Sequence, residues 1–442
     1  MKDTDIKKKF IQYAIPTIVS MLVISLQCII DGMFVSKGVG PQGLAAINIT
    51  MPLTSFFFSV AIMIVSGGVV ICGIAQGQGN KRLTKGYTTL TLVTLAVTCF
   101  ILSIIIMLNL KDVCYALGAD KELYPYVRDY LSVFAVLMFF YVSPGFTEAF
   151  VRLYERPNLV FVSGCVSCIS NIILDWILVI KLNWGMQGAA IATVSASVIA
   201  TTSLISKVEL GRIAGRWKDV WRIFFNGSSE MITCIATSVS TYVFNVYLMN
   251  HVGYIGVAAL TIVFYLNMVV NFSTMGMAQA MYPLIAYNLG TRDYDCIKRL
   301  LKVAMKYSFI IGFSVYIIIL LFKGPIIELF TNGNVQLTEM TRHAATYMTL
   351  AYLVSFVNII GSGFHTAIER PVESAIIAVC KSLIFVLIPL MTLPSLFESM
   401  NFDYKMGIWL SIPFGETLCL LVTIPLILVS MRRMRRSFAY MQ

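Results

Sequence analysis

Apolar residues in this chain are gathered into twelve uninterrupted blocks, at about 10–36, 46–73, 87–109, 127–151, 157–180, 186–206, 229–250, 255–280, 303–322, 342–364, 371–394 and 406–430. Blocks of roughly 20 residues are the length at which a helix, rising about 1.5 Å per residue, crosses a hydrocarbon core. Inside that core each backbone N–H and C=O must find its partner within a helix or a closed barrel. The blocks are continuously apolar and do not alternate with period two, so they predict helices and exclude barrel strands. A composition of 58% apolar and 12% charged residues excludes the ordinary soluble classes as well. The expectation is an all-α integral membrane protein with twelve transmembrane helices. The first block is too long for a signal-peptide core and lacks a small-residue cleavage site, so it is read as a span.

A net charge of +11 would suggest a nucleic-acid partner in a soluble protein. Its placement here gives another reading. With twelve spans, 23 of the 33 basic residues fall on one set of connections and the two ends, and eight fall on the opposite loops and their flanks. Such a bias predicts that both termini of a multi-pass membrane protein are cytoplasmic, with no nucleic-acid partner. The ten cysteines lie mostly inside spans, so disulfides are not expected. Cys165 and Cys168 have a ligand-like spacing but no second pair nearby, and no metal is expected there.

The chain also says nearly the same thing twice. Residues 39–49 (VGPQGLAAINI) and 252–262 (VGYIGVAALTI) share six of eleven positions. Ile74-Ala75 and Gly79 recur as Ile285-Ala286 and Gly290, and Glu155-Arg156-Pro157 recurs as Glu369-Arg370-Pro371. One unit has therefore been duplicated, giving lobes at 1–206 and 229–442 of six spans each. An even number of spans per unit sets both copies the same way up. Between them, 207–228 is basic, aromatic and partly amphipathic, as a cytoplasmic linker on the membrane surface is. The symmetry breaks at the acids: Asp31 aligns with Phe244, and Asp175 with Pro389.

An ionisable residue within a span is costly and marks function by default. Asp31 is six residues before Lys37, Asp175 six before Lys181, and Thr193 six after Gln187. Each therefore lies about 9 Å inside the same membrane boundary. Asn171 is one helical turn from Asp175 on the same face. Two carboxylates, an amide and a hydroxyl form a hard-oxygen set for a small cation such as Na⁺, and two carboxyls in one buried site can equally share a proton. The alternative is a polar cluster that only fixes helix packing. Pro16, in span one, removes a backbone hydrogen bond and is a candidate bend. Glu148, Lys381 and Glu416 are candidates for substrate contact or gating. Glu148 is expected to pair with Arg152 one turn on, and Lys381 and Glu416, at similar depth, with each other. His365 reads as a packing residue. Among the aromatic and Met side chains, Met33, Phe34, Tyr141, Phe146, Tyr242 and Tyr265 are candidate cavity walls. The sequence has no HExxH or GxSxG and only three scattered histidines, so no enzyme activity is expected.

Three segments carry a family resemblance: Asp31-Gly32-Met33-Phe34-Val35, Asn171-Ile172-Ile173-Leu174-Asp175, and Pro283-Leu284-Ile285-Ala286-Tyr287-Asn288. With two six-span halves, they resemble the multidrug and toxic compound extrusion (MATE) family, most closely its bacterial DinF/MepA-type branch. The resemblance covers essentially the whole chain. It implies a MATE-like fold and a monomer in the bilayer that exports small, drug-like, often cationic or aromatic compounds in exchange for H⁺ or Na⁺. No cofactor is implied beyond that coupling ion. Residues matching Asp31, Asn171, Asp175 and Thr193 would form the first-lobe cation or proton site, with bending at Pro16. A flippase for lipid-linked precursors, from the same superfamily, is the alternative.

Overall fold

The computed structural model describes residues 3–331 and 334–439, and every regular element among them is helical. The first half comprises α1 (Asp3–Gly38), α2 (Pro41–Gly77), α3 (Lys81–Leu108), the short α4 (Leu110–Ala116), α5 (Tyr124–Val136), α6 (Met138–Leu153), α7 (Asn158–Asp175) and α8 (Gly185–Ile205). The second half comprises α9 (Trp217–His251), α10 (Tyr254–Thr291), α11 (Tyr294–Thr331), α12 (Val335–Met348), α13 (Ser355–Ala367), α14 (Pro371–Val379), α15 (Phe385–Ser399) and α16 (Tyr404–Ala439). Two π-helical stretches, Trp176–Lys181 and Cys380–Ile384, continue α7 and join α14 to α15. Among the described residues, ten helical segments are long and apolar enough to cross a membrane, and two bent pairs, each taken as one span, bring the number to twelve. All twelve coincide with the apolar blocks.

The bent pairs are the fourth span of each half. α5 and α6 meet at 53°, and α12 and α13 at 44°. Neither break has a proline. Leu137 leaves helical geometry at one, and a 3₁₀ turn over Thr349–Leu353 followed by Val354 does so at the other. Hydropathy is blind to such breaks, because the residues around them remain apolar. Pro16, by contrast, lies inside a helix that runs on from Asp3 to Gly38.

The duplication is visible in backbone geometry. Gly40 and Gly253 take φ of 94° and 84° at equivalent turns, a conformation that favours glycine. Three residues on, a Cβ at Gly43 would stand 2.8 Å from Val35 and Val39, and one at Gly256 2.7 Å from Val252. The repeated glycines therefore serve the same purpose twice. Glu155 and Glu369 are both left-handed, at 61° and 57°, and in each copy the next N–H closes the helix: Arg156 to Val151 O at 3.0 Å and Arg370 to His365 O at 2.8 Å. The turn after the second span corresponds at Gly79 (φ 76°) and Arg292 (φ 59°). The sequence match of Gly79 to Gly290 is thus two residues out of structural register.

Two compact units result, 11–231 and 1–10 with 232–442. In the first, Val35, Val127, Leu131, Val179 and Met186 form a buried core. In the second, Phe244, Leu248, Leu260, Ile327, Leu390 and Trp409 do so. The segment expected as a linker divides at 217. Residues 217–228 are already part of α9, and its start is packed into the first unit. A Cβ at Gly67 would overlap the Ile223 carbonyl, and one at Gly227 the Met63 carbonyl. Ahead of α9, Thr89 Oγ1 donates to Gly211 O at 2.9 Å, and in the first turn of α9 Asp219 Oδ1 accepts from Tyr87 OH at 3.2 Å.

Candidate functional site

Three helices of the first unit deliver one polar cluster. α1 carries Asp31, α7 carries Asn171 and Asp175 one turn apart, and α8 carries Thr193; the Asp31 carboxyl faces the other three. Asn171 is fully buried and Asp175 is 1% exposed. Yet the cluster is not closed on itself. Asp31 Oδ1, Asp175 Oδ2 and both polar atoms of Asn171 are buried without a hydrogen-bond partner. Thr193 Oγ1 spends its proton on Ala189 O at 3.1 Å, so it offers only oxygen to the cluster. Buried polar groups are nearly always satisfied, and a set that is not has a further role to explain. The depth count from sequence set Asp31, Asp175 and Thr193 at one level and helical spacing added Asn171; the fold brings these four together.

Asp175 is the last residue of α7 before its π-helical continuation, where the wider turn changes the facing of the chain. Such turns recur at functional positions. Tyr130 and Tyr141, on either side of the α5–α6 break, also approach the acids: Tyr130 both Asp31 and Asp175, Tyr141 Asp31. Sequence reasoning named Tyr141 but missed Tyr130, which lies on the other side of the break. Of the other candidate walls, Met33, Tyr242 and Tyr265 are exposed, and Phe146 is buried against Phe150 at 4.5 Å between centroids.

Elsewhere in this unit, Glu148 and Arg152 are 5% and 4% exposed and face one another, as expected from their spacing. Glu148 also faces Ser20 of α1, a contact with no sequence signal.

The second unit has a different chemistry. Phe244, the counterpart of Asp31, is 1% exposed and belongs to the core, and Pro389, the counterpart of Asp175, is buried in α15. Lys381 Nζ instead stands 3.7 Å from Glu416 Oε1. Glu416 Oε2 accepts from Asn358 Nδ2 at 2.7 Å, and Asn358 Oδ1 accepts from Thr423 at 2.7 Å. The pair lines a cavity of about 140 Å³ together with Thr237, Asn267, Asn271 and Ser382. Lys381 and Ser382 lie in the second π-helical stretch. Sequence reasoning paired Lys381 with Glu416 but overlooked Asn358, an amide in an apolar span and so a signal that was present. His365 is fully buried, its ring nitrogens against Gly361 O at 2.7 Å and Ser430 Oγ at 3.1 Å, as a packing residue should be.

Comparison with known proteins places this arrangement. The MatE family model matches residues 16–177 and again 231–391, once per repeat. An FAD transporter of Shewanella oneidensis is 24% identical over 436 residues, covering 93% of this chain and 92% of that protein. The multidrug export protein MepA of Staphylococcus saprophyticus is 22% identical over 424 residues, covering 94% and 92%. Among solved structures, one described as MATE in the bent conformation superposes with a TM-score of 0.89 at 19% identity, over 99% of each chain. An outward-facing MATE family multidrug resistance transporter superposes equally well, with 0.89 at 19% identity over 97% and 96%.

Proposed function

The chain belongs to the MatE family and is a membrane transporter of the MepA-type branch, and on that premise we propose that it exports drug-like organic compounds in exchange for H⁺ or Na⁺. The observation that carries this reading is the set of Asp31, Asn171, Asp175 and Thr193 in the first unit, where buried polar atoms of the first three have no hydrogen-bond partner. Its open valences are all those of oxygen acceptors except the Asn171 amide, which suits a bare cation or a proton. Binding either one cancels one negative charge of the two acids and leaves a smaller electrostatic attraction for a cationic substrate. Loss of that attraction outside the cell releases the drug, and release of the ion inside restores it. Alternating access carries the cycle. The coupling site does not take part in covalent chemistry; its acids only hold and release charge.

The flippase alternative asks for a cavity that holds an anionic headgroup. The basic residue lining the second-unit cavity, Lys381, is already opposed by Glu416, so the cavity gives an anion little net attraction. The Shewanella relative is described as an FAD transporter, and transport of FAD is on that ground a second reading to include in the test.

The test is efflux of a cationic dye and of FAD from reconstituted vesicles under separately imposed H⁺ and Na⁺ gradients. Wild type is compared with Asp31→Asn and Asp175→Asn. Gradient-driven efflux should fall at least tenfold in both variants, while dye binding persists. Undiminished efflux in both would remove the assignment.

A further inference from the structure

A second concentration of charge lies in the other unit, at the start of α11. Lys298, Lys302 and Lys306 follow one another at four-residue steps, so they form one stripe along about 12 Å of helix. Lys7, near the start of α1, joins the stripe from a segment remote in sequence. Its place is fixed by Ile6 and Phe10, which are 3% and 0% exposed, and its ammonium lies 5.8 Å from the centre of the Tyr307 ring. Together with Arg299 these lysines line a cavity of about 500 Å³, floored by Ile6 and Val303, in which Asp295 is the one acid among the lining residues. The four lysines, with a single carboxylate among the lining residues, repel one another. Like charges four apart on a helix destabilise it. Membrane orientation accounts for basic residues on this side of the chain but not for their convergence on one cavity.

Position narrows the choice of anion. Lys306 already falls within the apolar block of α11, and Ser308 to Phe322 contains no charge. The stripe therefore runs from the polar end of the helix to the edge of its membrane-spanning part. Tyr307 adds a ring of the kind that settles at headgroup level. A basic pocket between helices at that depth, with an apolar floor, matches a phosphate that carries acyl chains better than a freely dissolved one.

We propose that Lys7, Lys298, Lys302 and Lys306 form a site for the phosphate headgroup of an anionic phospholipid. The lysines contact the phosphate, while Ile6, Val303 and Tyr307 receive the glycerol end of the acyl chains. Occupancy ties the start of α1 to α11 and removes the repulsion along the stripe.

The full chain, extracted from vesicles of phosphatidylcholine with phosphatidylglycerol, is examined by native mass spectrometry for retained lipid. Wild type should keep phosphatidylglycerol in preference to phosphatidylcholine. Lys298→Gln with Lys302→Gln, exposed positions where glutamine preserves helix propensity, should retain at least tenfold less, with unchanged elution and circular dichroism. Lys405→Gln, a basic residue outside the cavity, should retain as much as wild type. Equal retention by the double variant and wild type would falsify the proposal. So would release of the lipid by millimolar inorganic phosphate together with equal binding of phosphate alone, which would make this a site for a soluble anion. The readout is independent of transport, so failure of the coupling assignment leaves it standing.

Discussion

Lys381 and Glu416 form an ion pair at 3.7 Å within spans of the second unit, with side chains 18% and 9% exposed. Glu416 is held from its other side by Asn358. A buried pair contributes little net stability, but removing one partner strands a charge at a cost of about 3–5 kcal/mol. Lys381→Met should therefore lower the melting temperature of the purified protein markedly. Adding Glu416→Gln should recover most of the loss, since an amide can still meet Asn358. Equal melting of the single and double variants would show that the pair does not govern the cost of burial.

Asn171 presents the opposite case. Its side-chain amide is buried with neither polar atom partnered, and an unmet buried polar atom costs about 1–3 kcal/mol. Asn171→Leu keeps the volume and removes both atoms. The variant should melt higher than wild type and yet lose gradient-driven efflux. A drop in both stability and transport would instead mark Asn171 as ordinary packing.

The entry of α9 depends on two glycines that meet partner backbone directly. Gly67→Ala and Gly227→Ala each force a methyl group into a carbonyl oxygen, of Ile223 and Met63 respectively. Overpacking of this kind costs about 1–3 kcal/mol and more where backbone must move. Both variants should show a lower yield of monodisperse protein. Gly32→Ala, with nothing within 4 Å of the added Cβ, is the control and should match wild type.

Arg292 ends α10 in a left-handed conformation, at φ 59°, where the first repeat uses Gly79. A non-glycine residue there bears a strain of about 1 kcal/mol. Arg292→Gly should raise the melting temperature by roughly a degree or two with transport unchanged. A fall would mean that the arginine side chain offsets its own backbone strain.

Much of this was legible in one dimension. Apolar blocks of span length gave all twelve membrane segments, because a hydrocarbon solvent leaves the backbone no alternative to helix. Counting residues inward from Lys37, Gln187 and Lys181 set Asp31, Thr193 and Asp175 at one depth, since rise per residue is fixed. The Lys381–Glu416 pair followed by the same count. Depth, however, says nothing about rotation around a helix axis or about where an apolar helix breaks.

Those two quantities were decided by tertiary structure. The breaks at Leu137 and Val354 involve no proline and no change in hydropathy, so only packing locates them, and with them Tyr130. The helical start at Trp217 within the expected linker belongs to the first unit because Gly67 and Gly227 permit backbone contact that no composition reveals. Sequence determined the solvent, the number of spans and the level of each charge, all of which depend on residue type and spacing. The fold decided which polar atoms go unpaired at Asn171 and Asp175, because satisfaction of a hydrogen bond depends on what the neighbouring helices bring within about 3 Å.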